Sequence, residues 1–109
     1  MELIYDYWKG NFDEVKEMLA KSIAQYVKTY QMIKIGITSN PNNRKYQHQA
    51  DELGWKKMIV KYETNSVTNI NKMEKVLIKN HWKYIANENA GGGGPNTNTG
   101  PYYLYVLLK

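Results

Sequence analysis

The chain of 109 residues contains no cysteine, which excludes a disulfide framework and any zinc site built on thiolates. It has one phenylalanine and three prolines. The large rings are instead 10 tyrosines and 3 tryptophans, so most of them carry a polar handle that needs a partner when buried. No apolar run approaches about 18 residues, so no membrane-spanning helix is expected. The opening residues Met1-Glu2-Leu3-Ile4-Tyr5-Asp6 have neither the basic nor the apolar stretch of a secretory signal, and a soluble, cytoplasmic, unprocessed protein is the expectation. A chain this short implies one domain over residues 1–109, because two would each be too small to bury a core.

What is present is positive charge in one part of the chain. The net charge is +5. Residues 1–33 hold four lysines (Lys9, Lys16, Lys21, Lys28) and five acids (Glu2, Asp6, Asp13, Glu14, Glu17), whereas residues 34–109 hold eleven basic and five acidic residues. The excess therefore lies entirely in the second part. A basic surface suits a polyanion, nucleic acid being the commonest. A lysine-rich face that only keeps the protein soluble fits the same count.

Residues 3–8 read as a short strand or extended arm, broken by Gly10-Asn11. Phe12, Val15, Leu19, Ile23, Tyr26, Val27 and Tyr30 then recur at helical spacing, with Asn11 as N-cap and Asp13 and Glu14 in the first turn. Residues 32–38 alternate strictly: Ile33, Ile35 and Ile37 point one way, Lys34, Gly36 and Thr38 the other. This predicts a half-buried strand with an apolar floor and an open polar face. Asn40-Pro41 starts a helix running to about residue 52, with Arg44, His48 and Asp51 on one face and Tyr46, Ala50 and Leu53 on the other. Residues 56–63 predict a second strand, and residues 69–86 a helix with Ile70, Met73, Leu77, Ile78, His81, Trp82 and Ile85 in register. Asn87 to Gly100 reads as loop. Residues 101–109 are apolar on both faces, the pattern of a strand covered above and below at the centre of a sheet.

The segment Lys34-Ile35-Gly36-Ile37-Thr38-Ser39-Asn40-Pro41-Asn42-Asn43-Arg44-Lys45-Tyr46-Gln47-His48 resembles the second motif of the GIY-YIG nuclease superfamily, in its Lys-Ile-Gly form. In that family a strand ending in the glycine is followed by a turn and a helix that presents an arginine. The interval from Gly36 to Arg44 is eight residues, the family's usual one. A second strand, then a helix with a glutamate in its first turn, come next; Met73-Glu74-Lys75-Val76-Leu77 is read as that segment. An Asn often lies beyond, and Asn87, Asn89 and the run Gly91 to Gly94 sit there. The resemblance covers residues 32–109, about 70% of the chain, and leaves residues 1–31 outside it. It implies an α/β fold, a small antiparallel sheet of about three strands flanked by helices, here with an extra N-terminal helix.

The family's first strand, with its tyrosine, normally lies just before the Lys-Ile-Gly strand, yet residues 12–30 read as helix. The preferred match is Tyr103-Leu104-Tyr105-Val106-Leu107-Leu108, a circular permutation, which is feasible because a sheet needs strand positions rather than chain order. Leu3-Ile4-Tyr5, with the helix inserted after it, is the rival.

The resemblance implies phosphodiester hydrolysis, which requires an activated water, charge neutralisation on the phosphorane and help for the leaving oxygen. Arg44 would hold the scissile phosphate through its planar fork; otherwise it is a solvated helix arginine. Glu74 would hold Mg²⁺ or Mn²⁺, since a hard, mostly hydrated ion needs only one or two carboxylates; position 78 is Ile, so no i,i+4 cation explains it. Tyr105 would position or deprotonate water, with Tyr103 as fallback on the same face; each also suits a core ring. Lys34 would contact phosphate or act as a base, or is an edge-strand lysine. His48, one turn past Arg44, would share the phosphate or relay a proton, or is a surface histidine. Gly36 keeps the cleft floor open, and Lys45, Lys56, Lys57, Asn87 and Asn89 complete the expected nucleic-acid contacts. His81 reads as a satisfied core histidine and the glycine run as a linker.

Two functions follow. One is a metal-dependent endonuclease acting on nucleic acid, DNA being favoured, in a phage or mobile-element setting. The other is a non-catalytic module that binds nucleic acid or a protein. The helix over 12–30 either forms a homodimer contact or caps the sheet.

Overall fold

The isoleucine alternation predicts a strand that is present. It is buried on both faces apart from Lys34, not half-buried with an open polar face, because the strand Tyr102–Leu108 and the helix Pro41–Gln49 cover the side of Gly36 and Thr38. The computed structural model describes residues 1–50, 53–88 and 99–109. The elements are β1 (Glu2–Trp8), α1 (Phe12–Thr29), β2 (Ile33–Thr38), α2 (Pro41–Gln49), β3 (Lys57–Thr64), α3 (Val67–His81), a 3₁₀ turn (Trp82–Tyr84) and β4 (Tyr102–Leu108). Gly10, at φ +121°, makes the corner between β1 and α1 in a backbone conformation that side chains disfavour. Asn11 caps α1, accepting from the backbone N–H groups of Asp13 and Glu14.

The α/β class with flanking helices is as expected, but the sheet differs in two respects. It has four strands, in the order β1-β3-β4-β2, rather than about three. It is mixed rather than antiparallel, because β1 pairs parallel with β3. The reason is connectivity: a strand followed by a helix that crosses the sheet returns in the same direction. Thus β1, β2 and β3 run one way, and only β4 runs against its two neighbours. β4 lies between β2 and β3, antiparallel to both, and is almost wholly buried. Leu3-Ile4-Tyr5 lies instead on β1, at the far edge from β2.

One face of the sheet carries the main core. Ile33, Ile35, Ile37, Ile59, Leu104, Val106 and Leu108 meet Val15, Leu19 and Ile23 of α1 and Ile70, Met73, Leu77 and Ile78 of α3. The apolar stripe of α1 is therefore spent capping the sheet of its own chain, and it is not free for a dimer contact. α3 ends at His81, earlier than the predicted residue 86. Trp82 turns outward, 46% exposed, instead of joining the apolar face. His81 is satisfied by its Nδ1 contact with the Leu77 carbonyl, 2.9 Å away. Among the described residues no helix is long and apolar enough to cross a membrane.

The other face is the one that matters for the site. It carries Gly36, Thr38, Tyr103, Tyr105 and Leu107 by alternation, and α2 reaches it through His48. At its other end Trp55, Met58, Tyr105 and Leu107 form a smaller core with Leu3, Met32 and Ala86 at its margin.

Candidate active site

α2 is placed by its own start signal. Thr38 Oγ1 accepts from the Asn40 N–H at 3.0 Å and donates to the Asn40 carbonyl at 3.2 Å, fixing the turn after β2. Asn40 Oδ1 then accepts from the Asn43 N–H at 3.1 Å, and Pro41 takes the first helical position. Arg44 follows in the first turn, its N–H bonded to the Asn40 carbonyl. That turn contains no acid. A cation at the positive end of a helix costs a few tenths of a kcal/mol up to about 1, a cost that an anion bound there would reverse.

Arg44 lines a cleft of about 430 Å³ together with Thr38, Ser39, Asn40, Asn43, Gln47, Thr99, Gly100 and Pro101. The lining is predominantly donors and acceptors, as a phosphate would require. Sequence reasoning missed Thr38, Ser39, Asn43 and Gln47 as lining residues; their position around the N-cap of α2 was the available signal.

The centre of the site lies beside this cleft. Gly36 pairs with Tyr105 across β2 and β4, and the Tyr105 ring lies over the glycine. A Cβ built on Gly36 would sit within 3 Å of three Tyr105 side-chain atoms, so the glycine makes room for this ring and is not the open cleft floor expected; it does not line the cleft. The Tyr105 hydroxyl is 2.8 Å from His48 Nε2, and the two rings meet edge to face with centroids 5.6 Å apart. Burial pushes the Tyr105 hydroxyl up to about 12; the Arg44 guanidinium pulls it down and the Glu74 carboxylate pushes it up. Both charges, from two different helices, therefore act on one phenol. Tyr105 is 4% exposed and Glu74 8%. His48 and Tyr105 meet above Gly36, Arg44 lines the neighbouring cleft, and Glu74 stands on α3, which packs on the opposite face of the sheet.

The remaining predicted residues divide. Lys34 is half-buried, one pleat from Gly36 on the same face, which is about 7 Å along the strand. Tyr103 faces a different group: it hydrogen-bonds Glu63, burial and that bond push its hydroxyl up to about 12, and its ring meets Tyr7 edge to face at 6.4 Å. Lys45 lies on α2 beside the Tyr46 ring, 5.9 Å from its centroid. Lys56 and Lys57 are at the opposite end of the sheet, where Lys57 pairs with Leu108. The Lys57 ammonium donates to the Tyr30 hydroxyl at 3.2 Å on the helical side, and the structure does not bring these two lysines to the cleft. Asn87 is occupied with the sheet. Its Oδ1 accepts from the Ile35 N–H at 2.9 Å and its Nδ2 donates to the Ile35 carbonyl at 2.8 Å, so its amide acts as one residue of a further strand along the open edge of β2. Asn89, Asp51 and the run Gly91 to Gly94 lie outside the described residues.

The helix face of α2 that meets the sheet is the polar one. Tyr46 on the opposite side is 67% exposed; the helix ends at Gln49, short of the predicted residue 52, so Leu53 lies beyond it. Only Pro41 is buried along α2, so the histidine–tyrosine contact is a main attachment of this helix.

Among the described residues no three or more His, Cys, Asp and Glu side chains are grouped to hold an ion. Glu74 is the one carboxylate that the resemblance assigns to an ion. It fits a mostly hydrated Mg²⁺-type cation and not a cage of protein ligands.

No family model, curated protein or solved structure matches this chain significantly.

Proposed function

We propose that this chain is a metal-dependent endonuclease of the GIY-YIG type, hydrolysing phosphodiester bonds of nucleic acid with DNA as the favoured substrate. The observation that carries the reading is the Tyr105 phenol, held by His48 over Gly36 and acted on by the charges of Arg44 and Glu74 together. The sheet order supports it as well. The resemblance requires a tyrosine-bearing strand antiparallel to the Lys-Ile-Gly strand, and β4 stands in that relation to β2. A permuted first strand at the C-terminal end of the family core accounts for both facts.

In this reading each residue has one task. Arg44 holds two phosphate oxygens through its planar fork and offsets the charge that grows on them. Glu74 would hold the Mg²⁺ or Mn²⁺, which when bound supplies Lewis-acid stabilisation at the phosphate. With its hydroxyl pushed up to about 12, Tyr105 is a neutral phenol at neutral pH and not a phenolate base. It works as a relay: its oxygen takes a proton from the attacking water as its own proton passes to Nε2 of a neutral His48. His48 thereby becomes the final base, and the tautomer with Nε2 unprotonated is the active one. Lys34 adds a positive charge along the floor.

The test is incubation of the protein with plasmid and with single-stranded DNA in Mg²⁺ or Mn²⁺, beside Arg44→Ala and Glu74→Ala. Cleavage that falls by roughly 10²-fold or more in both variants supports the enzyme. Salt-sensitive binding without product under either metal overturns catalysis and leaves a binding module.

A further inference from the structure

The site face of the sheet continues past Tyr105 to the edge strand, and there it ends in exposed rings. Tyr5 and Tyr7 alternate on β1 with Ile4 and Asp6. Tyr5 pairs with Val60, which pairs with Tyr105, which pairs with Gly36. One cross-strand row therefore leads from Tyr5 to the floor of the site. The next row runs from Glu63 through Tyr103 to Thr38, and Thr38 lines the cleft. Tyr7 joins that row through its ring contact with Tyr103, centroids 6.4 Å apart, and meets Tyr5 at 6.3 Å. Trp8, paired with Tyr62, belongs to the other face.

We infer that Tyr5, Tyr7 and Tyr103 form a stacking platform for the bases of a single-stranded nucleic acid whose backbone passes Arg44. This rests on the nucleic-acid reading of the cleft and specifies the substrate class. Tyr5 is 50% exposed and Tyr7 39%, so these rings do not serve the core. Bases in a duplex are stacked on one another and hidden from a flat sheet, whereas unpaired bases stack on exposed aromatic side chains without regard to sequence. The acids near the platform do not repel a phosphate chain. Glu63 is paired with Lys9 at 2.7 Å and takes the Tyr103 hydrogen bond. Asp6 is paired with Lys61 at 3.2 Å. The chain as a whole is at +5.

The experiment measures anisotropy of a dye-labelled oligothymidylate and of a duplex of equal length, in EDTA so that no cleavage intervenes. The wild type binds the single strand more tightly. Tyr7→Leu and Tyr5→Leu, surface changes that preserve apolar bulk, each weaken it roughly 5- to 100-fold, and Tyr7→Trp restores it. Arg44→Ala weakens both substrates. Equal or tighter duplex binding overturns the inference, as does an unchanged single-strand affinity in Tyr7→Leu when Arg44→Ala still loses affinity. In that second case the cleft stands and only the platform fails. If Tyr7→Leu abolishes a dimer seen by light scattering and leaves oligonucleotide affinity intact, the rings belong to edge pairing with a second copy. If neither nucleic acid binds the wild type, the cleft reading fails with the platform.

Discussion

Gly36→Ala is the most informative single change, because the methyl group has one place to go and Tyr105 already occupies it. The new Cβ would lie 2.3 Å from the Tyr105 hydroxyl oxygen, 2.4 Å from Cζ and 2.9 Å from Cε2. Ordinary contact begins near 3.4 Å, so the ring must retreat by about 1 Å, or β2 and β4 must separate. The retreat lengthens the 2.8 Å contact with His48 beyond hydrogen-bonding range. Overpacking at a buried position costs about 1–3 kcal/mol of stability, and a 1 Å misplacement of a reacting group costs roughly 10²-fold in rate. Urea unfolding and plasmid cleavage read the two effects separately. The double variant Gly36→Ala/Tyr105→Ala tests the cause: once the ring is gone, adding the methyl should cost almost nothing further in stability. Cleavage and stability both at wild-type level in Gly36→Ala would refute the argument, as would a double variant whose losses simply add.

Asn87→Ala leaves the Ile35 N–H and carbonyl without the amide that satisfies them, and should lower unfolding free energy by about 1–3 kcal/mol; Asn87→Asp keeps the acceptor but loses the donor, so it should fail to restore the wild type. Tyr105 gives a pH signature in metal-free buffer. Its hydroxyl goes from an ordinary 10 to about 12 on folding, so the native state holds a proton that the unfolded chain has lost between those values. Stability is unaffected below about pH 10 and falls as pH rises toward 12, by on the order of 2 kcal/mol for this group. Urea midpoints at pH 9 and 11.5 should converge partly in Tyr105→Phe, the remainder reflecting Tyr103, whose hydroxyl is also raised to about 12; an unaltered alkaline slope in that variant would contradict the assignment. Removing residues 102–109 should unfold the protein, whereas removing residues 1–8 should cost far less, as circular dichroism of the two truncated chains would show.

The strands and helices that pack on one apolar face were legible because their periodicity is set by burial. The position of Arg44 in the first turn of α2 was legible from the helix start at Asn40-Pro41, whereas its proposed role and that of Gly36 came from the resemblance alone. The choice between Tyr103 and Tyr105 was less accessible: two residues apart on one strand, they share a face, and only the register that sets Gly36 against Tyr105 separates them. β1 was ambiguous because Tyr5, Tyr7 and Trp8 are exposed and give no apolar alternation to read. Lys56 and Lys57 counted toward a basic surface, but charge density does not say which end of a strand a residue occupies. Asn87 was noticed for its place after the helix; its work in closing the edge of β2 requires knowing that this strand lies at an edge.

The strand order joins folding to chemistry. β2 and β3 do not touch one another, because β4 lies between them. The strand that supplies Tyr105 is thus the one that makes the sheet, and Arg44 and Glu74 are carried on helices that follow β2 and β3 respectively. Until residues 102–108 insert, the arginine and the glutamate belong to two halves with no shared sheet, and the phenol on which both charges act is absent. Such pairings are distant in sequence and slow to form. On the proposed reading, a defect in β4, the strand between β2 and β3, should damage fold and activity together, while one in Arg44 or Glu74 should lower activity with little loss of stability.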